Sequence, residues 1–111
     1  MTTISTQELK GKIDKGDKFH LVDVLAPESF AERRIPGAVN VPNGLDFADE
    51  IERVIAPSKE DEIVLYCASA DCMASESAAR KLEEAGYENV KHYKDGLAGW
   101  ERAGHRFESG E

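Results

Sequence analysis

Ile63-Val-Leu-Tyr-Cys67-Ala-Ser-Ala-Asp-Cys72-Met-Ala-Ser75-Glu-Ser-Ala-Ala-Arg-Lys-Leu-Glu-Glu-Ala-Gly86 reads as a strand, a loop and a helix in succession. The apolar run of Ile, Val, Leu and Tyr predicts a buried strand, and Ser75 to Ala85 predicts a helix with Ala78, Ala79, Leu82 and Ala85 inward. Gly86 stops that helix. Between them lies a loop of small residues that carries both cysteines of the chain. A thiol where a strand ends and a helix begins faces backbone N–H groups and the positive end of the helix dipole, both of which favour thiolate. Cys67 is therefore a candidate nucleophile. The plainer reading is a small core residue at the end of an apolar strand, and the stretch alone leaves both open.

Working outward, the same alternation recurs on both sides. Upstream, Ile4 to Leu9 predicts a very short strand and a helix start capped by Ser5 or Thr6, with Glu8 in the first turn; that helix ends near Lys15-Gly16-Asp17. Phe19 to Val24 predicts an interior strand, since Leu21 and Val22 are too apolar in succession for a strand wet on one face. Asp23 near its end is a buried acid that must find partners; the reading is structural, an acid held by loop amides near the site. Ala26 to Arg34 is a short helix with Pro27 at its first position. Pro36-Gly37 turns the chain into a short strand, Val39 to Val41, closed by Pro42. Phe47, Ile51, Val54 and Ile55 fall at helical spacing before the central strand. Downstream, Asn89 to Tyr93 predicts a strand, Asp95 to Gly104 a last short helix with Trp100 as its anchor, and Phe107 to Glu111 a frayed tail. Phe30 is expected to pin the helix after Asp23. The fold class that follows is α/β, a mostly parallel sheet with helices on both faces. Such sheets bind ligands at the carboxyl ends of their strands, which is where the cysteine loop lies.

Composition narrows the function classes. The 111 residues suit one domain, 1–111, with a single core. A net charge of -8, from 22 acidic and 14 basic residues, repels polyanions, so neither nucleic acid nor an anionic membrane is expected as a partner. No apolar run approaches the roughly 20 residues of a membrane span. The start, Met-Thr-Thr-Ile-Ser-Thr-Gln-Glu, has neither a basic nor an apolar leader region, which makes the cytoplasm the expected compartment. Two cysteines so close together do not form a secreted disulfide framework. No metal and no cofactor is expected: His20, His92 and His105 fall on different predicted elements, each read as a surface or strand-edge histidine.

Four segments, Leu21-Val-Asp-Val24 with Pro27-Glu-Ser-Phe30, Ile35-Pro-Gly-Ala-Val-Asn-Val-Pro42, Val64-Leu-Tyr-Cys67 and Asp95-Gly-Leu-Ala-Gly-Trp100, stand in the order of one known family. Over nearly its whole length the chain resembles a single-domain rhodanese, of the rhodanese-like sulfurtransferase family. The resemblance implies a rhodanese-like three-layer fold and gives Cys67 the position of the catalytic cysteine. That cysteine takes sulfane sulfur from a donor, holds it as a persulfide and passes it to an acceptor thiol or cyanide. The loop residues Ala68, Ser69, Ala70, Asp71, Met73, Ala74 and Ser75 would then form the substrate cradle through their backbone amides.

The loop departs from the family's usual Cys-Arg-x-Gly-x-Arg-Ser. With its Ser on Ser75, Ala74 stands where the final Arg would be, and the loop is two residues longer. Leu25 stands in place of an Arg after Asp-Val, and Arg34 in place of a His before Ile-Pro-Gly. An Arg would offer bidentate bonds to an oxyanion, whereas Asp71 adds negative charge. Weak activity on thiosulfate follows, with a bulkier or less charged small-molecule or protein persulfide as donor and a thiol as acceptor. Two other readings compete: a non-catalytic docking or sensing module that keeps the fold, and a redox protein in which Cys72, a possible resolving or second thiol, forms a transient disulfide with Cys67. A phosphatase or arsenate reductase is the least expected reading, because this loop lacks the anion-binding Arg that such an enzyme needs. The oligomeric state is left open.

Overall fold

A computed structural model describes residues 1–110, and within them the strands and helices follow the predicted order, with the first strand at Thr2–Thr3, just ahead of Ile4 rather than at it. The chain runs β1 (Thr2–Thr3), α1 (Thr6–Lys15), β2 (His20–Asp23), α2 (Pro27–Glu32), β3 (Val39–Asn40), α3 (Phe47–Val54), β4 (Glu62–Tyr66), α4 (Ala74–Glu84), β5 (Asn89–Tyr93) and α5 (Gly96–Arg102). Local chemistry sets several of these boundaries. Ser5 and Glu8 form a reciprocal capping box at the start of α1, and Gly16 ends it at a φ of 72°. Pro27 opens α2, where its missing N–H costs nothing.

The five strands form one parallel sheet in the order β1-β5-β4-β2-β3. β4 is its centre, paired with β2 from His20↔Ile63 to Asp23↔Tyr66 and with β5 from Glu62↔Asn89 to Tyr66↔Tyr93. Because side chains alternate along a strand, β4 feeds two cores. Ile63, Leu65 and, just past the strand, Cys67 pack with α3 and α4 through Phe47, Ile51, Ala78, Ala79 and Leu82. Val64 and Tyr66 pack on the opposite face with Leu9, Ile35, Leu97 and Trp100.

Several expectations are corrected. The helix after the cysteine loop starts at Ala74 rather than Ser75, and Ala85, expected inward, is exposed; Tyr87, one residue past the Gly86 stop, is buried in the core. Val54, though at helical spacing, is 47% exposed, since the last turn of α3 runs past the edge of the core. Phe30 is only half-buried, with the Arg34 guanidinium 4.5 Å from its ring centroid.

The tail is not frayed up to Gly110. Arg34 and Glu108 exchange two backbone hydrogen bonds of 2.9 Å as an isolated antiparallel bridge, and the Gly110 N–H donates to the Ala31 carbonyl at 2.8 Å. Phe107 packs on the Trp100 core. A single apolar residue among charged ones gives little sequence signal, yet these long-range bonds tie a largely exposed segment to Ala31 and Arg34. Glu111 lies outside the described residues.

Candidate active site

Strand parity decides where Cys67 points. It follows Tyr66, whose ring enters the α1/α5 face, so the Cys67 side chain enters the α3/α4 face, directly under the start of α4. There it is 1% exposed. Its Sγ lies 3.1 Å from the Ser75 Oγ and donates at 3.4 Å to the Cys72 carbonyl. The Ser75 Oγ is in turn 2.7 Å from the Nε2 of His92. Ser75 is fully buried and His92 is 5% exposed.

The loop between Cys67 and Ser75 curls back on itself. A turn is closed by the Cys72 N–H donating to the Ser69 carbonyl at 3.1 Å. Ala68, Ala70, Asp71 and Met73 are exposed, Ser69, Cys72 and Ala74 half-buried, and Ser75 buried. The loop therefore supplies a rim of small exposed residues and a floor made by Cys67 and Ser75, with Cys72 between. Asp71, expected to place an anion inside the pocket, instead projects from the rim, because the turn carries it outward. No lysine or arginine side chain bonds to Cys67, Ser75 or His92 among the described residues.

Thiolate stabilisation is divided between the two cysteines in a way the sequence reading had not foreseen. Burial pushes the Cys67 thiol up, and its contact with Cys72 adds to this, against the pull of the Ser75 hydroxyl and amide. For Cys72, burial also acts upward, but hydrogen bonds from the Cys67 thiol and from the Ala74 and Ala68 amides outweigh it and draw the thiol down. The amides expected to serve Cys67 are divided, Ser75 acting on Cys67 and Ala68 and Ala74 on Cys72. The residue at the strand end is thus the better buried, and the residue in the loop the better solvated as thiolate.

The loop is clamped from behind by the start of α5. The Leu97 N–H donates to the Cys67 carbonyl at 3.0 Å and the Ala98 N–H to the Ala68 carbonyl at 2.9 Å. This approach needs a glycine at Gly96: its φ is 61°, and a Cβ there would stand 2.3 Å from the Cys67 carbonyl oxygen. Below the site, Asp23 is fully buried at the end of β2 beside Tyr66. Its Oδ1 accepts from the Leu25 N–H at 2.9 Å, and its Oδ2 has no partner among the described residues. Burial pushes its carboxyl up, against the Leu25 amide, the nearby Tyr66 hydroxyl and Arg34. Asn40 donates to the Asp23 and Leu25 carbonyls at 3.0 and 2.8 Å, which fixes the β2 exit.

Three contributors were missed from sequence: His92, Gly96 and Asn40. His92 is the instructive one, because it is not at a strand edge but buried in the sheet on the same face as Val90, opposite Leu65. Parity within the predicted strand 89–93 held the signal, since Val90 and His92 must share a face. The other two histidines stay near the surface, His20 bonded to Asp61 at 3.0 Å and His105 beside Trp100. No group of metal-ligating side chains is present among the described residues, and no helix there is long and apolar enough to cross a membrane.

This arrangement matches known proteins over most of its length. A family model described as Rhodanese-like domain covers residues 5–103. The chain is 35% identical over 98 residues to "Putative sulfurtransferase YtwF" of Bacillus subtilis, covering 88% of each. It is also 35% identical over 101 residues to "HTH-type transcriptional regulator Rv0324" of Mycobacterium tuberculosis, covering 91% of this chain but 42% of that longer protein. Among solved structures, the crystal structure of the Alr3790 protein from Anabaena superposes with a TM-score of 0.85 at 27% identity, covering 96% of this chain and 92% of the other.

Proposed function

The chain belongs to the family of rhodanese-like domains, and on that premise we propose that it is a sulfurtransferase or persulfide carrier that moves sulfane sulfur through a persulfide on Cys67. The observation that carries the proposal is the position of the Cys67 sulfur, at the carboxyl end of the central strand and under the start of α4, bonded to the Ser75 hydroxyl. A sulfur atom there can attack the outer sulfur of a donor, displace the donor's thiolate and keep the sulfane sulfur for a thiol or cyanide acceptor.

The donor class follows from charge. With no cation on the loop, a dianion such as thiosulfate has no charged partner to offset its desolvation, while a low-molecular-weight or protein persulfide brings less charge. A thiol nucleophile of this kind works in a reducing compartment, so the cytoplasm is the location that fits. One observation favours a second reading: the contact between the Cys67 thiol and Cys72, which suits a dithiol that cycles through a transient disulfide.

Intact-mass measurement after incubation with cysteine persulfide, polysulfide and thiosulfate tests the proposal. The expected result is a one-sulfur adduct that maps to Cys67, forms readily with the first two donors and poorly with thiosulfate. An adduct that maps to Cys72 and survives Cys67→Ser overturns the assignment. No adduct on folded protein with any donor would favour the docking or sensing module.

A further inference from the structure

His92 has no place in the resemblance, yet it is buried within bonding distance of the site. It sits on β5 opposite Leu65 of β4, and both Leu65 and Cys67 face α4. α4 brings Ser75 down between them. The result is an unbroken line, Cys67 Sγ to Ser75 Oγ at 3.1 Å and Ser75 Oγ to His92 Nε2 at 2.7 Å, with each member at most 5% exposed.

We propose that Ser75 and His92 carry the proton of Cys67, Ser75 as a catalytic residue that touches the sulfur and His92 as a positioning residue that acts through it. The inference rests on the reading of Cys67 as the nucleophile. A serine hydroxyl donates one hydrogen bond and accepts others. With a neutral His92 presenting Nε2 as acceptor, the Ser75 hydroxyl donates to it and its oxygen is left to accept the Cys67 S–H. The thiol's alternative acceptor, the Cys72 carbonyl, cannot take a proton on. A merely structural pair would end at His92 and Ser75; here the hydroxyl makes a second contact, to sulfur.

The electrostatics of the site are compatible with the relay that this geometry lays out. Burial holds the Cys67 thiol protonated, and no lysine or arginine bonds to the line to offset that. Burial also lowers the affinity of His92 for a proton, which keeps the ring neutral and leaves Nε2 able to accept the Ser75 hydroxyl; Glu76 on α4 and Lys94 just past β5 act on the ring in opposite senses. Ser75 and Leu65 face the ring from α4 and β4, and neither carries charge. In the transfer step, Cys67-SH attacks the outer sulfur of a persulfide R-S-SH. The new S–S bond forms as the old one breaks, R-S⁻ departs with the bonding pair, the Cys67 proton moves to the Ser75 oxygen, and the Ser75 proton moves to His92. The products are Cys67-S-SH, R-S⁻ and an imidazolium, so atoms and charge balance without an added oxidant.

Thiolate absorbance against pH tests this without any sulfur donor. Measured in Cys72→Ser protein, with Cys67→Ser/Cys72→Ser protein subtracted, it reads the ionisation of Cys67 alone. His92→Gln keeps a hydrogen-bonding end group but takes no proton, and Ser75→Ala deletes the bridging oxygen. Each is expected to move the midpoint up by about one pH unit, leaving about tenfold less thiolate at neutral pH. Midpoints that stay in place in both variants, with native circular dichroism, overturn the relay. Where His92→Gln perturbs the fold, the one-oxygen deletion in Ser75→Ala decides. The two readings fail separately: a shifted midpoint with no persulfide adduct on the unsubstituted protein sinks the sulfur-transfer reading and leaves the relay standing.

Discussion

The two faces of the central strand make the same kind of layer and put it to different use. On the α1/α5 face, Val64 and Tyr66 meet large side chains, Trp100, Tyr93, Leu9 and Leu97, and the polar atoms there are tied to backbone or to a hydroxyl: the Trp100 Nε1 donates to the Arg106 carbonyl at 2.9 Å, and the Tyr66 hydroxyl accepts from the Ile35 N–H at 3.1 Å. On the α3/α4 face, Ile63 and Leu65 meet Phe47, Ile51 and Leu82, but the layer continues into Cys67, Ser75 and His92. Both faces exclude water. One does so around groups that, apart from the Asp23 Oδ2, are bonded and hold the fold, the other around a thiol, a hydroxyl and an imidazole in one hydrogen-bonded line. The difference teaches that a buried polar cluster at the end of an apolar layer is where to look for chemistry, since desolvation there shifts the Cys67 and His92 pKa values.

Single substitutions can break this contrast. The largest expected effect is on the reactive face: Cys67→Ser should abolish sulfur loading in the intact-mass assay while the unfolding transition stays close to that of the unsubstituted protein. On the other face, Trp100→Ala should cost about 3–5 kcal/mol in denaturant unfolding, because its ring is 1% exposed and leaves a cavity. A loss below about 1 kcal/mol would show that the face collapses around the gap rather than depending on the ring. Gly96→Ala lies where the two faces meet. It forces a left-handed backbone onto a residue with a Cβ, at about 1–3 kcal/mol, and drives that Cβ into the Cys67 carbonyl. Stability and loading rate should both fall; a fall in stability alone would show that the α5 clamp does not position the sulfur.

The smallest effect sharpens the comparison through pH. The Asp23 carboxyl is raised by burial, so its contribution to stability is present below the ordinary carboxylate pKa of about 3.9 and is lost as pH rises through its folded value. Asp23→Asn should remove that loss, so the melting-temperature difference between the variant and the parent should grow in the variant's favour as pH is raised from about 4 towards neutrality. The depressed carboxyls of Glu62, Asp61 and Glu8 contribute in the opposite sense in both proteins and cancel in the difference. A pH-independent difference would place the cost of Asp23 elsewhere than in its charge.

The alternation of strands and helices, the capping box at Ser5 and Glu8, the stop at Gly86 and the cysteine at the end of the central strand are all legible along the chain, because each rests on side chains within a few residues of one another. The same holds for the four segments that mark the family. What the tertiary structure alone decided lies between residues far apart. The register of β4 against β5 sets His92 behind Ser75, 17 positions away. The path of the cysteine loop turns the Ala68 and Ala74 amides towards Cys72 and leaves Cys67 to the hydroxyl and amide of Ser75 and to its own burial. The contact of α5 with the Cys67 carbonyl explains Gly96, and the bridge from Glu108 to Arg34 holds a tail that composition alone leaves loose. Local propensity cannot carry such information. Hydrogen bonds and pKa values depend on which groups exclude water together, and that is settled only when the sheet and its helices close.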